Sequence, residues 1–257
     1  VHGPTSPSRC SAVMARGERV ICVSRSVRDY VLSHYPDTDP SKLRVIPRGI
    51  DTTAFPRAAH LDAAARAWAA ALHPALGGEG PLLLLPGRGT RLKGHADALA
   101  LLGKLRGDGL DARLWLPGAR ERGREQYIAE LEREARSGGF ADAVAFTPAT
   151  DEIARAYAAS DLVLQVSRKP ESFGRTVLEA LSVGRPVLGW RHGGVGELLD
   201  EMQPAGAATP FDAAQLHPIA RELLAHPPSP PATIPYTLSA MQEATLAVYA
   251  ELIDERD

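Results

Sequence analysis

The sequence is poor in cysteine and lysine and has no long apolar run. Only two cysteines occur in 257 residues, Cys10 and Cys22. Their number and spacing exclude a disulfide framework and a zinc site. They read as reduced thiols packed in a cytosolic protein. No stretch of about eighteen consecutive apolar residues occurs, which excludes a hydrophobic spanning helix. Lys and Arg total 29 against 31 Asp and Glu, a formal net charge of −2, so no global basic field points to nucleic acid. Four of the basic residues are lysines: Lys42, Lys93, Lys104 and Lys169. The sequence opens on Val1, without an initiator Met or a signal peptide. What is present is a globular composition, 44% hydrophobic and 23% charged, near the soluble average. A chain of this length can bury a core without staples.

Short apolar runs alternate with longer amphipathic stretches. The pattern predicts strands at 20–23, 43–46, 82–85, 113–116, 144–146, 162–166 and 186–189. Between and after them it predicts helices at 25–35, 61–73, 95–105, 122–136, 151–159, 175–183, 212–225 and 238–253. Such alternation means βαβ units and a parallel sheet. The run at 82–85 is wholly apolar, as expected for a strand buried on both faces. Residues 226–235 hold five prolines and form a stiff spacer. In open α/β sheets ligands bind at the carboxyl ends of strands, so the residues following each strand matter most.

After the strand at 82–85 comes Pro86-Gly87-Arg88-Gly89-Thr90-Arg91-Leu92-Lys93-Gly94. It is neither a dinucleotide fingerprint nor a P-loop; His95 follows where a P-loop requires Lys. It remains a glycine loop that opens a helix and carries Arg88 and Lys93. An Arg fork beside a Lys point charge suits a diphosphate. The spacing fits equally well an ordinary strand-to-helix turn with solvated cations. After 162–166 come Glu171-Ser172-Phe173-Gly174-Arg175-Thr176-Val177 and, two turns into the helix, Glu179. The two carboxylates are placed to accept bonds from sugar hydroxyls, and the N–H groups of 173–176 to hold phosphate. An acidic first turn favoured by the helix dipole is the alternative for Glu171; Glu179 lies beyond its reach. The stretch Trp190-Arg191-His192-Gly193-Gly194-Val195-Gly196-Glu197 reads as a loop whose backbone approaches something closely. Asp37-Thr38-Asp39, beside Pro36 and Pro40, reads as turn chemistry.

Taken in order, Gly-Arg-x4-Lys-Gly, Glu-Ser-Phe-Gly-x4-Glu-Ala and Gly-Gly-x2-Glu resemble the C-terminal domain of glycosyltransferase family 4, retaining enzymes of the GT-B fold. Val45-Ile46-Pro47-Arg48-Gly49-Ile50-Asp51 with Phe55 resembles the family's interdomain junction, with Arg48 where Asn is usual. Lys-Pro-Glu-Ser-Phe-Gly-Arg-Thr is similar to bacterial members that build lipopolysaccharide and other surface glycans. The resemblance implies an α/β fold of GT-B type: one complete Rossmann-like parallel-sheet domain plus the C-terminal remnant of a second. It places the end of the acceptor domain at 1–47, a linker at 48–80, the donor-binding domain at 81–230 and a returning helix at 231–257. It also implies that on the order of a hundred residues of a typical first domain precede Val1.

The resemblance further implies a nucleotide-diphosphate sugar donor, UDP by family frequency, no cofactor and no metal. Arg88, Lys93, Glu171 and His2 would be the catalytic set. Gly87, Arg88, Lys93, Glu171, Ser172, Phe173, Gly174, Arg175, Thr176, Val177 and Glu179 would hold the donor. Within that set Glu171 would meet the sugar and Glu179 the ribose. Pro148 stands where the family often carries a Gly near the base. The partners implied are a nucleotide sugar and a glycan or lipid-linked acceptor, with no nucleic acid. Peripheral membrane contact would come through the preceding domain, at the inner face of the cytoplasmic membrane. Two alternatives stand beside this transferase: an inactive nucleotide-sugar-binding fragment, and another GT-B enzyme such as a sugar-nucleotide epimerase.

Overall fold

Two parallel sheets organise the chain in the computed structural model, which describes residues 1, 3, 8, 11–60 and 62–254. His2 and Cys10 lie outside the described residues. The first sheet is a single βαβ step: β1 (Val20–Cys22) pairs in parallel with β2 (Leu43–Val45), and α1 (Arg25–His34) connects them. Ser24 caps α1, its side chain accepting from Val27 N, which satisfies a donor that every helix start leaves open. Asp39 caps the 3-10 turn Pro40–Lys42 in the same way.

A connection carrying α2 (Ala63–Leu72) leads to the second sheet. Its strands are β3 (Leu82–Leu84), β4 (Arg113–Pro117), β5 (Val144–Thr147), β6 (Leu162–Gln165), β7 (Val187–Trp190) and β8 (Ala207–Ala208). Between them run α3 (His95–Gly107), α4 (Glu125–Ser137), α5 (Ile153–Ala159), α6 (Arg175–Val183) and α7 (Gly193–Met202). α8 (Ala213–Ala225) and α9 (Leu238–Asp254) follow. The strand order is β5-β4-β3-β6-β7-β8, all parallel. Counted from β3 this is 3-2-1-4-5-6, the order of doubly wound dinucleotide folds.

The unbroken apolar strands follow from helices on both faces. Leu82 and Leu84 join one core with Trp115, Val163 and Val187, covered by α2, α5, α6 and α7. Leu83 joins the other with Leu114, Leu162 and Leu188, covered by α3, α4 and α8. The first core continues through Phe173 and Leu198 to Val27 and Val31 of α1, so the two sheets share it.

Polar contacts at three places tie the small sheet and the junction after it to the later part of the chain. Glu197 of α7 accepts from Arg25 N at 3.1 Å and Ser26 N at 2.5 Å, placing a carboxylate at the N-terminus of α1. Glu251 of α9 accepts from Arg44 at 2.8 Å and Arg19 at 3.1 Å. At the junction Ile50 N donates to Tyr236 O and Leu238 N to Ile50 O. Gly49 is required there, because a Cβ would overlap the Thr237 carbonyl.

Two elements differ from the sequence reading. The glycine stretch after β7 is not a loop; α7 starts at Gly193. A Cβ on Gly193 would overlap Glu171 O, and one on Gly194 the Phe173 backbone. The helix gives up propensity for close contact with that segment, and this is what the glycine backbone approaches. The two-residue β8 is too short for any period to show. Opposite outcomes are expected for two glycine substitutions, read by urea unfolding. Gly194→Ala should cost about 1–3 kcal/mol through overpacking. Gly107→Ala, at the end of α3 with nothing within 4 Å, should gain about 0.5 kcal/mol.

Candidate active site

The chain reverses direction across the sheet between β3 and β6, and such a switch point opens a crevice at the carboxyl edge. The loop after β3 carries Gly87 to Gly94, and the loop after β6 carries Ser167 to Gly174. Backbone and side chains zip the two loops together. Arg168 N donates to Leu92 O at 2.7 Å. The Arg168 guanidinium binds both oxygens of buried Asp97, at 2.8 and 2.5 Å, a bidentate, charge-assisted pair. Gly94 has φ of 78°, and a Cβ there would overlap the Val166 carbonyl oxygen; only glycine serves.

Within this crevice Lys93 Nζ donates to Glu171 Oε1 at 2.6 Å, with both side chains partly exposed. Ser167 Oγ donates to the same oxygen at 2.7 Å. Burial alone would raise the Glu171 carboxyl. The bond and charge of Lys93, then Ser167 and His192, outweigh burial and hold it below the usual carboxylate range. His192 Nε2 donates to Ser167 O at 2.9 Å, which leaves a lone pair on Nδ1. Burial lowers the His192 pKa against the opposing pull of Ser167 and Glu171.

Arg88 lies on the first loop with an exposed side chain, and it makes no ion pair among the described residues. The stem of Lys93 passes over Gly87. α6 begins at Arg175 after Gly174, with no side-chain cap and no acidic residue in its first turn. α3 differs, since Asp97 already occupies its first turn. α7 is uncapped too, but its Gly194 N donates to Glu171 O at 2.8 Å; the start of α6 is a place where N–H groups and dipole favour an anion. Phe173 and Val177 are buried and hold this turn in the core, with Thr176 partly exposed. Ser172 lies beside Gly3, where a Cβ would overlap its hydroxyl.

Glu179 sits apart from Glu171. It is 8% exposed, accepts from Tyr157 OH at 2.9 Å and pairs with Arg175 at 2.9 Å. Burial, then the Glu179 charge, pushes the Tyr157 hydroxyl well above its ordinary pKa, so it remains a donor. Arg175 is 57% exposed in its side chain and is the partner able to swing away. Sequence reasoning assigned no role to Ser167, His192 or Tyr157. The first two stand directly after β6 and β7, and that position was the available signal. Tyr157 on α5 gave none.

The strand order and the all-parallel sheet define an α/β domain of the GT-B glycosyltransferase fold. Among solved structures, a glycosyltransferase from Rickettsia africae superposes with a TM-score of 0.84 at 20% identity, over 98% of this chain and 69% of that one. Anabaena HepE in complex with UDP and glucose superposes at 0.75 and 21% identity, over 96% and 65%. The glycosyl transferases group 1 profile matches residues 73–237, and the glycosyltransferase family 4 profile matches residues 6–54. The chain belongs to the glycosyl transferases group 1 family. It is 35% identical over 164 residues to the D-inositol 3-phosphate glycosyltransferase of Jonesia denitrificans, covering 61% of this chain and 37% of that protein. It is 32% identical over 148 residues to the mannosylfructose-phosphate synthase of Agrobacterium fabrum, covering 54% and 32%. The chain thus spans well under half the length of these curated relatives.

His95 supports the first loop from below. It is 0% exposed, its Nδ1 lies 3.3 Å from Thr90 O, and Nε2 has no partner. Burial lowers its pKa from 6.5 to about 4. The unfolded chain therefore binds the extra proton first as pH falls. Stability from this group is complete above pH 6.5 and drains away toward pH 4, by about 3 kcal/mol in all. Urea unfolding across that window should show the loss, and His95→Phe should flatten the slope. An unchanged slope in the variant would contradict the assignment.

Proposed function

We propose that this chain is the donor-binding part of a retaining hexosyltransferase that takes a sugar from a nucleotide diphosphate, UDP first among them. The single observation that carries this is the free N-terminus of α6, beside the Lys93–Glu171 pair and on the same edge as Arg88. As the anomeric carbon gains oxocarbenium character, charge grows on the leaving diphosphate. A preorganised set of donors stabilises that charge better in the transition state than in the ground state. Arg88, Lys93 and the first-turn N–H groups of α6 form this set. They supply the field that a divalent ion supplies in metal-dependent transferases, and the reaction proceeds without one.

Lys93 also keeps Glu171 ionised, so that Glu171 accepts from donor-sugar hydroxyls. Glu179 accepts from the ribose once Arg175 moves aside. Retention follows from front-face attack by the acceptor hydroxyl. The HepE complexes with UDP and UDP-glucose support the choice of nucleotide. His2 belongs to the acceptor side in this reading. The division into 1–47, 48–80, 81–230 and 231–257 goes with it, the first segment ending the acceptor domain.

The acceptor is a glycan or lipid-linked saccharide of bacterial surface polysaccharide synthesis, handled in the cytoplasm at the inner face of the membrane. Among solved structures WaaG, a glycosyltransferase involved in lipopolysaccharide biosynthesis, supports this with a TM-score of 0.63. A small phosphorylated polyol is the second acceptor class. It is favoured by the relatives named for D-inositol 3-phosphate and mannosylfructose phosphate.

Calorimetric titration with UDP, GDP and ADP, followed by sugar-transfer assays on both acceptor classes, tests the reading. Binding of UDP with transfer supports it; binding without transfer leaves a binding module; no binding of any nucleotide contradicts it. In the active enzyme Arg88→Ala and Lys93→Ala should each lower turnover by about 10²-fold. Near-normal rates for both would remove them from the site. Glu171→Gln should lower turnover more than it weakens binding of free UDP.

A further inference from the structure

A cavity lies at the opposite edge of the sheet. It has a volume of about 610 Å³ and borders Pro81, Asp161 and Pro186, the residues directly before β3, β6 and β7. It therefore opens at the amino ends of the strands whose carboxyl ends carry the donor loops. Its size is that of a small-molecule site.

Its charge is unbalanced. Four arginines, Arg57, Arg66, Arg185 and Arg221, line it against two carboxylates, Glu79 and Asp161. Asp161 is already engaged, accepting from Arg66 at 2.5 Å and from Leu82 N at 2.6 Å. Arg221 pairs with Asp108 outside the cavity. Arg57 and Arg185 have no carboxylate bound to them among the described residues. Arg57 donates only to the Leu181 and Pro231 carbonyls. Arg185 is 4% exposed and donates through Nη2 alone, to the Ala59 and Ala158 carbonyls. Its Nε has no acceptor. A guanidinium so deeply buried normally has a carboxylate or phosphate partner. Arg185 has neither bonded to it among the described residues, although the charges of Asp161 and Asp62 lie within its reach, and the exposed Arg57 lines the same cavity.

The other wall is apolar, built from Leu223, Leu224 and the proline segment at 227–230. Arg57 crosses Gly184, where a Cβ would come within 3.0 Å of its Cδ and 3.7 Å of Pro230. The cationic and apolar walls therefore meet. A bare inorganic anion would use only the first. We propose that this cavity is a second ligand site, taking an organic monophosphate: the phosphate on Arg57 and Arg185, the apolar body against the leucine and proline wall. The site is independent of the donor crevice and of the activity assigned to it. Both connections between the two sheets border it, one through Arg57 and Ala58 and the other through the proline segment. A bound phosphate replaces backbone carbonyls as the partner of Arg57.

The test is a titration of the whole chain with phenyl phosphate, followed by ¹⁵N–¹H spectra, with inorganic phosphate as a second arm. Saturable shifts are expected at Ala58, Ala59, Gly184 and Arg185, with phenyl phosphate binding more tightly than inorganic phosphate. Two variants at exposed positions, Arg57→Gln and Ser229→Glu, should each weaken binding by about tenfold or more. The second puts a carboxylate into the cavity and leaves every arginine in place. Shifts confined to Arg88, Lys93 and Thr176 would assign the phosphate to the donor crevice and overturn the proposal. Equal affinity for the two phosphates would overturn the organic ligand class. Unchanged affinity in both variants, or no saturable shift at the cavity, would overturn the site itself.

Discussion

The adjacency of β3 and β6 is the constraint on which the rest depends. These strands are far apart in sequence, and they pair because the chain builds one half of the sheet outward from β3 and then returns to build the other. Their carboxyl ends must diverge, since the connections leave to opposite faces. The crevice follows from topology, and side chains only furnish it. Lys93 comes from one side and Glu171 from the other, and the Arg168–Asp97 pair sets how wide the gap can be. A hydrogen bond at 2.6 Å with a charge on each side is among the stronger polar contacts available, and here it is only partly covered. An interaction of that kind costs side-chain freedom without gaining full burial. Its value lies in keeping one carboxylate ionised at a chosen place.

The same economy appears in how helix starts are treated. α1 receives Ser24 and Glu197, α2 receives Asp62, and α3 receives Asp97. α6 receives nothing from its own sequence. An unsatisfied helix start costs stability unless water or a ligand supplies the acceptor. α5 and α7 also start without a side-chain cap or an early acid, and among these starts that of α6 stands on the loop after β6, at the switch point. At the other edge the sign is opposite: among the described residues Arg57 and Arg185 have no carboxylate bonded to them, unlike most other arginines. One edge is short of an anion at a helix start, and the other is short of one at a guanidinium pair.

Much of the fold was legible before any coordinates. Leu82 to Leu84 could be read as doubly covered because no polar residue interrupts them, and both cores confirm that reason. The start of α7 was not legible, because Gly193 and Gly194 answer to Glu171 and Phe173 rather than to helix propensity. Arg88, Lys93, Glu171 and Glu179 of the candidate site were legible as motifs, unlike Ser167 and His192. Their pairing was not, since Lys93 and Glu171 are 78 residues apart and meet only through the strand order. The partner of Glu179 was hidden for the same reason: Tyr157 belongs to α5, which carries no motif of its own. Local chemistry shows in a sequence, whereas the second partner of a contact depends on topology.

The central claim is that the crevice between β3 and β6 holds a diphosphate on the free start of α6. A crystal structure of this chain grown with UDP tests it most directly. The account predicts phosphate density against the N–H groups of the first turn of α6, within reach of Lys93. Nucleotide density elsewhere, with the start of α6 bare, would contradict it.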